Sequence, residues 1–379
     1  MTALSAPSAP SAPLRAGETG SGAKRSGPVL LGMLRRRELQ LVLAILALGA
    51  LSSALHPSFL ASGNVSFILA DSVSTMVVAV GQTIVVLGRG IDLSVSPVLG
   101  IAAIGVGFPA QDHNLSIFLA LLIVLVIGMA LGAGNGFLVA VVGIPPIIAT
   151  LATLTIYGGL QFIFTGGQEV VNIPNAYGNL GNANMLPGVP WLIVVGAAVV
   201  AVVWFWLRRT VTGRSIYAVG NNADAAFRAG APVRRILFLT YVVSGLLAGL
   251  GGLIYLCHVG SADATTGSDT NVNLMSIAAA LIGGTTLLGG RGGPVGSALG
   301  AVFLSEALQA MIASRVPPIW EPAGVGALIV IAVITDRGAT PARLLARRVT
   351  GVAAATLACP VVCELWRCSR TNHPPRGVR

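Results

Sequence analysis

A chain of 379 residues with 54% hydrophobic and 9% charged residues and a mean hydropathy of +0.84 lies outside soluble globular usage and belongs in a bilayer. A soluble enzyme is excluded, and at about 20 residues per span the chain has room for about ten helices and little besides. The formal charge of +10 comes from arginines placed beside apolar runs, which is the pattern of topology signals and argues against a nucleic-acid partner.

Residues 1–34 carry SAPSAPSAP and then a basic Gly/Ser-rich stretch. This composition buries too little apolar surface to order itself, so a disordered cytoplasmic tail is expected. Arg35, Arg36 and Arg37 then precede the first apolar run, which reads as a retained signal anchor with its start held in the cytoplasm. A transmembrane domain is expected over 35–337. Its apolar segments fall at 39–55, 67–88, 95–110, 116–142, 146–165, 190–207, 236–257, 274–289, 295–314 and 319–335. The expected fold is all-α and polytopic, with both termini cytoplasmic. That orientation puts Arg89, the cluster from Arg208 to Arg235, Arg291 and Arg337 inside and only Arg315 outside. Around Arg89 a re-entrant segment can replace two spans without changing the later orientation.

Two stretches resemble one another. VVAVGQTIVVLGRGIDLSVSPVLGIAA and IAAALIGGTTLLGGRGGPVGSALGAVF each run from an apolar helix into Gly-Arg-Gly and resume after Pro97 or Pro294, residues suited to a first helical position. They read as a parallel internal repeat built on broken helices. Glycines spaced by four (Gly128, Gly132 and Gly136; Gly245 and Gly249; Gly292, Gly296 and Gly300) predict close helix packing rather than ligand contact.

The loop 208–235, RRTVTGRSIYAVGNNADAAFRAGAPVRR, is a polar interruption that can fold. Asn222 or Asp224 can cap a short basic helix through Ala225, Ala226 and Phe227, and Gly230 can end it. Residues 338–379 contain an apolar run broken by Pro360; a surface-lying or disordered segment is expected, with no assigned role.

The only lysine is Lys24, followed by Arg25, so no Walker A loop exists in this chain. HExxH and GxSxG are absent and His56, His113, His258 and His373 are scattered, so an enzyme has no catalytic constellation to rest on. Cys257, Cys359, Cys363 and Cys368 form no paired CxxC motif, which favours unpaired thiols over a metal site. Carboxylates in or near apolar runs are Asp71, Asp92, Glu306 and Glu321. Glu306 is open to two readings, an ion or proton carrier or a group facing a partner helix. Asp92 sits at the helix break, where a capping role is expected. Uncharged polar groups on segments two, four and five (Ser72, Ser74, Thr75, Gln82 and Thr83; Asn135, Thr150, Thr153, Thr155, Tyr157 and Gln161) offer neutral hydrogen bonds that suit a sugar better than an ion.

GRGIDLSVSPV at 88–98, GRSIYAVGNNADAAFRAG at 213–230 and ALIGGTTLLGGRGGPVGSALGAVF at 280–303 together resemble the permease subunit of ribose/xylose-type, monosaccharide ABC importers, in the wider group with branched-chain amino-acid permeases. The resemblance covers about 39–337. It implies a plasma (inner) membrane protein that forms a translocation path with a second permease copy, as homodimer or heterodimer, among membrane lipid. It further implies ATP-binding subunits on the cytoplasmic side, where ATP and Mg would reside, no cofactor on this chain, and an extracytoplasmic sugar-binding protein. The family pattern falls on Gly213, Arg214, Ala218, Gly220, Asn222, Ala225, Ala226 and Gly230 as the ATPase-coupling loop, and on Gly90, Ile91, Asp92, Leu93, Ser94 and Val95 at the first break. The expected path residues are Gln82, Thr83, Asp92, Ser94, Asn135, Thr153 and Gln161. Departures from the pattern are Arg89, Ser96 with Pro97, Glu306 and the tail beyond Arg337. The alternatives are an ion-coupled secondary transporter using Glu306, or an ABC permease for branched-chain amino acids or another small polar solute.

Overall fold

The computed structural model describes residues 37–269, 271–320, 322–328 and 330. The tails 1–34 and 338–379, Glu321, the three C-terminal cysteines, His373 and the end of the tenth expected segment, 331–335, lie outside these residues. The described chain is helical: α1 (Arg37–Leu55), α2 (Ser62–Leu87), α3 (Val95–His113), α4 (Ile117–Gly136, continued by a π turn at Phe137–Val142), α5 (Pro146–Thr165), α6 (Asn175–Asn182), α7 (Trp191–Arg209), α8 (Val211–Asn221), α9 (Ala223–Arg228), α10 (Val233–Val259), α11 (Val272–Ile282) and α12 (Pro294–Ala313). One two-stranded hairpin, Asn184–Leu186 with Val189–Pro190, interrupts them.

Seven of these helices, α1, α2, α4 with its π turn, α5, α7, α10 and α12, are long and apolar enough to cross a membrane. The all-α polytopic fold is therefore observed. The finer pattern differs from the periodicity reading in three places. The third expected segment, 95–110, is helical as α3 but is not among the seven. The eighth expected segment, 274–289, is helical only as α11; Gly284, Gly289, Gly290 and Gly292 take positive φ and turn the chain instead. Apolarity could not distinguish that glycine-rich turn from helix. Residues 166–190 and 260–269, read only as connections, fold into α6, the hairpin and a tight loop tied to 166–174 by the Val170–Ala262 bridge.

Burial sorts the helices. α2, apolar and small-polar apart from Asp71 and Gln82, is the central helix, with 89% of its spanning window buried, and α10 follows at 61%. The windows of α1, α4, α5 and α7 are 17–28% buried and leave apolar faces toward the lipid. The small-residue stripes meet each other: Gly128 and Gly132 of α4 press on the backbone of Gly245 and Tyr241 of α10, so the helices touch where a side chain would hold them apart. Gly296 and Gly300 pack against Gly283 and Ala279 in the same manner.

The two similar stretches run parallel. α2 and α11 both lead to the end of the bundle that holds Arg37, Arg208 and α8. Their turns touch there, with Gly290 N–H donating to the Leu87 carbonyl at 3.0 Å. Pro294 is the first residue of α12, whereas Pro97 is the third of α3.

Candidate functional site: a buried polar break tied to the coupling loop

After Leu87 the chain reverses within a few residues. Arg89 sits at φ 65 and Gly90 N–H returns to the Val85 carbonyl at 2.9 Å. The chain then re-enters the bundle beside the helix it has just left. With its amide oriented to satisfy both groups, Gln82 holds it there, donating to the Asp92 carbonyl at 3.1 Å and accepting from the Asp92 N–H at 3.2 Å.

This geometry delivers Asp92 to the core with 1% of its surface exposed. Its Oδ1 accepts the Ser94 N–H at 3.0 Å, the Ser94 hydroxyl at 2.7 Å and, at 3.5 Å, the Asn135 amide. Its Oδ2 accepts the Ser244 hydroxyl at 3.3 Å. Asn135 also donates to Ser94 Oγ at 2.6 Å. Asp92 does not cap α3 as expected: the N-cap residue is Ser94, which has no side-chain cap bond, and the Asp92 carboxylate instead closes a turn onto the Ser94 N–H. A buried carboxylate is stabilised by such donors. The Asn135 Oδ1 and Tyr241 hydroxyl atoms are buried without a hydrogen-bond partner among the described residues, and Tyr241 lies against Gly90. The break therefore gathers one carboxylate, hydroxyls and amide groups, a set with unused capacity toward a polar solute.

Of the expected path residues, Gln82, Asp92, Ser94 and Asn135 converge here. Thr83 faces the other way, sharing a 2.5 Å hydrogen bond with Ser297 of α12. Thr153 bonds its own helix at Ala149 and Thr150. Gln161 donates to the Thr266 carbonyl at 3.1 Å and so fastens the loop 260–269 to α5. Thr150 reaches the break backbone, donating to the Ile91 carbonyl at 3.1 Å. Ser74 and Tyr157 bond the backbones of neighbouring helices. Sequence reasoning missed Ser244 and Tyr241. A signal existed: Tyr241, Gly245 and Gly249 are spaced by four, so the tyrosine shares a face with the stripe that packs inward.

The loop 208–235 is folded as its sequence suggested. Asn222 caps α9 by accepting the Ala225 N–H at 3.0 Å, and Gly230 follows the helix at φ +85. Thr210 caps α8 through the Gly213 N–H at 3.0 Å. The expected coupling residues divide into two sets. Arg214, Ala218, Asn222, Ala225 and Gly230 are exposed, whereas Gly213, Gly220 and Ala226 are buried attachments. Gly220 lies against the Leu87 carbonyl so closely that no Cβ fits.

Arg89 joins loop and break. Its Nε donates to the Leu288 carbonyl at 2.9 Å and its Nη2 to the Asn221 carbonyl at 2.8 Å. One side chain thus links the end of α2, the end of α8 and the 283–293 turn. Tyr217 adds a bond to the Gly292 carbonyl at 3.1 Å. Burial raises its hydroxyl pKa against a smaller opposing effect of Arg208, which keeps it a donor. At the opposite end, burial pushes Tyr177 up to about 12. Burial would raise Asp263, but hydrogen bonds from Thr265 and Thr266 hold it below the usual carboxylate range.

Glu306 is separate from this site. It lies on α12, buried, with Oε1 facing Gly49 of α1 and Oε2 without a partner among the described residues. Cys257 is a buried free thiol. Among the described residues no three His, Cys, Asp or Glu side chains gather as a metal ion requires.

Parallel broken helices around a buried polar break, in a bundle of membrane-length helices, define a polytopic membrane permease. Residues 64–333 match the family described as branched-chain amino acid transport system / permease component. The chain is 36% identical over 304 residues to the autoinducer 2 import system permease protein LsrC of Enterobacter sp. (strain 638), covering 80% of this chain and 88% of that one. It is 35% identical over 302 residues to a probable ABC transporter permease protein, y4mJ, of Sinorhizobium fredii, covering 80% and 90%. It is 33% identical over 298 residues to the ribose import permease protein RbsC of Haemophilus influenzae, covering 78% and 91%. No solved structure matches. The chain belongs to this permease family and is an integral membrane transport component of the ribose-type ABC importer group. These relatives do not favour the ion-coupled reading through Glu306.

Proposed function

We propose that this permease forms the translocation path for a monosaccharide and is driven by ATP-binding subunits docked at its arginine-rich, cytoplasmic end. The observation that carries the reading is the chain of bonds from the capped loop through Arg89 to Asp92. Movement imposed on α8 and α9 reaches Leu87 through Gly220 and Arg89, and the polar break begins a few residues beyond. Hydroxyls and amides around one carboxylate suit the many hydroxyl groups of a sugar, and the relatives named for ribose and autoinducer 2 support small solutes of that kind. An extracytoplasmic binding protein delivers the solute, a second permease copy completes the path, and ATP and Mg are held by the partners. The permease itself performs no catalysis.

The family description also raises a branched-chain amino acid. The carboxylate of a zwitterion needs a cationic side chain or free helix-terminal N–H groups, and the groups gathered at Asp92 are hydroxyls and amides. The nearest candidate, Arg89, already donates to two carbonyls, so the sugar is the better fit.

Proteoliposomes holding the permease, its ATPase and its binding protein test the proposal. ATP-dependent accumulation of a pentose or related sugar is expected. Accumulation of leucine instead, or uptake driven by a proton gradient without ATP, overturns it. Ala225→Trp on the exposed face of α9 is expected to abolish ATP-driven uptake while the protein stays folded, because it blocks docking without touching the bundle.

A further inference from the structure

At the arginine-rich end, α1, α7, α8 and α12 surround a cavity of about 290 Å³. Its wall carries two guanidinium groups, Arg37 and Arg208, against one carboxylate, Glu38. The Arg208 guanidinium stands 5.1 Å from the centre of the Trp204 ring, which holds the charge in place. Trp204 and Val295 are also walls of a second cavity, about 430 Å³, which continues between α7 and α12 over Met76, Val200 and Val302 and is apolar throughout.

The two cavities share a wall and differ in chemistry. A ligand that fills both must be anionic at one end and aliphatic at the other. The basic part lies at the ends of membrane-length helices and the apolar part runs along their sides, the depth order of a phospholipid in its leaflet. We propose that this composite site holds an anionic phospholipid, its phosphate against Arg37 and Arg208 and an acyl chain in the groove between α7 and α12. A zwitterionic headgroup would bring its own cation beside the two arginines, so the site discriminates by net charge. α7 runs directly into α8, so the lipid sits where the coupling loop joins the bundle. The site is independent of which solute the permease carries.

Native mass spectrometry of the full-length permease, with phosphatidylglycerol and phosphatidylcholine supplied in equal amounts, tests the proposal. The wild type is expected to retain phosphatidylglycerol in preference. Arg208→Gln is expected to cut that preference about fivefold and the Arg37→Gln/Arg208→Gln double variant further, while Arg208→Lys keeps most of it. Ala201→Trp, an exposed α7 position lining the groove, is expected to reduce retention of both lipids with the fold intact. Equal retention of the two lipids by the wild type, or an unchanged preference in the double variant, overturns the proposal. Displacement of phosphatidylglycerol by inorganic phosphate at equal concentration reassigns the basic cavity to a free anion. Retained lipid in Ala201→Trp removes the acyl chain from the groove.

Discussion

The two breaks of the repeat share a motif and differ in what they carry. Both follow Gly-Arg-Gly, and their turns touch at the arginine-rich end. Three residues after the arginine, the first break has Asp92 and the second has Pro294. The first chain turns inward at once and buries a carboxylate among Ser94, Asn135 and Ser244. The second lingers at the surface, where Gly292 takes a bond from Tyr217 before α12 begins. The arginines diverge too: both are exposed, but Arg89 clamps two carbonyls, whereas the Arg291 side chain makes no hydrogen bond among the described residues. The duplicated geometry supplies the re-entry, and the differences bury a carboxylate in one copy and start a helix at Pro294 in the other.

The largest expected effect separates Asp92 from Pro294. Asp92→Ala strands several buried donors at about 1–3 kcal/mol each and is expected to abolish uptake and lower the thermal midpoint. Pro294→Ala is expected to cost less than about 1 kcal/mol. Comparable losses in both variants, measured as uptake normalised to membrane level, would dissolve the distinction. Next, Arg89→Ala removes two charge-assisted bonds worth about 1.5–3 kcal/mol each. Partner ATPase turnover should then no longer respond to solute, while Arg291→Ala stays within about 0.5 kcal/mol of wild type. A smaller effect is expected where the copies meet. Thr83→Val or Ser297→Ala alone should cost about 1 kcal/mol, and the double variant little more than either, giving a measurable coupling in a double-mutant cycle. Asn222→Ala removes the α9 cap at a similar cost of about 1 kcal/mol, but the loss is confined to the loop and is expected to appear only as faster hydrogen exchange at the Ala225 amide.

Much of this was legible in the sequence because it is encoded locally. Asn222 and Gly230 bracket α9 in chain order, Asp92 binds a residue two positions away, and the glycine stripes announce packing by their spacing alone. What was not legible is what the fold brings from afar. Ser244 is 152 residues from Asp92, and Thr83, grouped by composition with its neighbour Gln82, points to the opposite side of the same helix. The end of α11 was hidden because leucines within the 283–293 turn carry the same apolar signal as helix.

The π turn at Phe137–Val142 sits just beyond Asn135, where α4 leaves the stretch pinned by glycine to α10. A π turn carries more residues per turn than an α turn, so it is a stored length of chain. That extra length lies one short connection, 143–145, before α5, and α5 holds the Ile91 carbonyl through Thr150. The polar break is therefore fastened on its far side to the stretch of α4 whose pitch departs from α-helical.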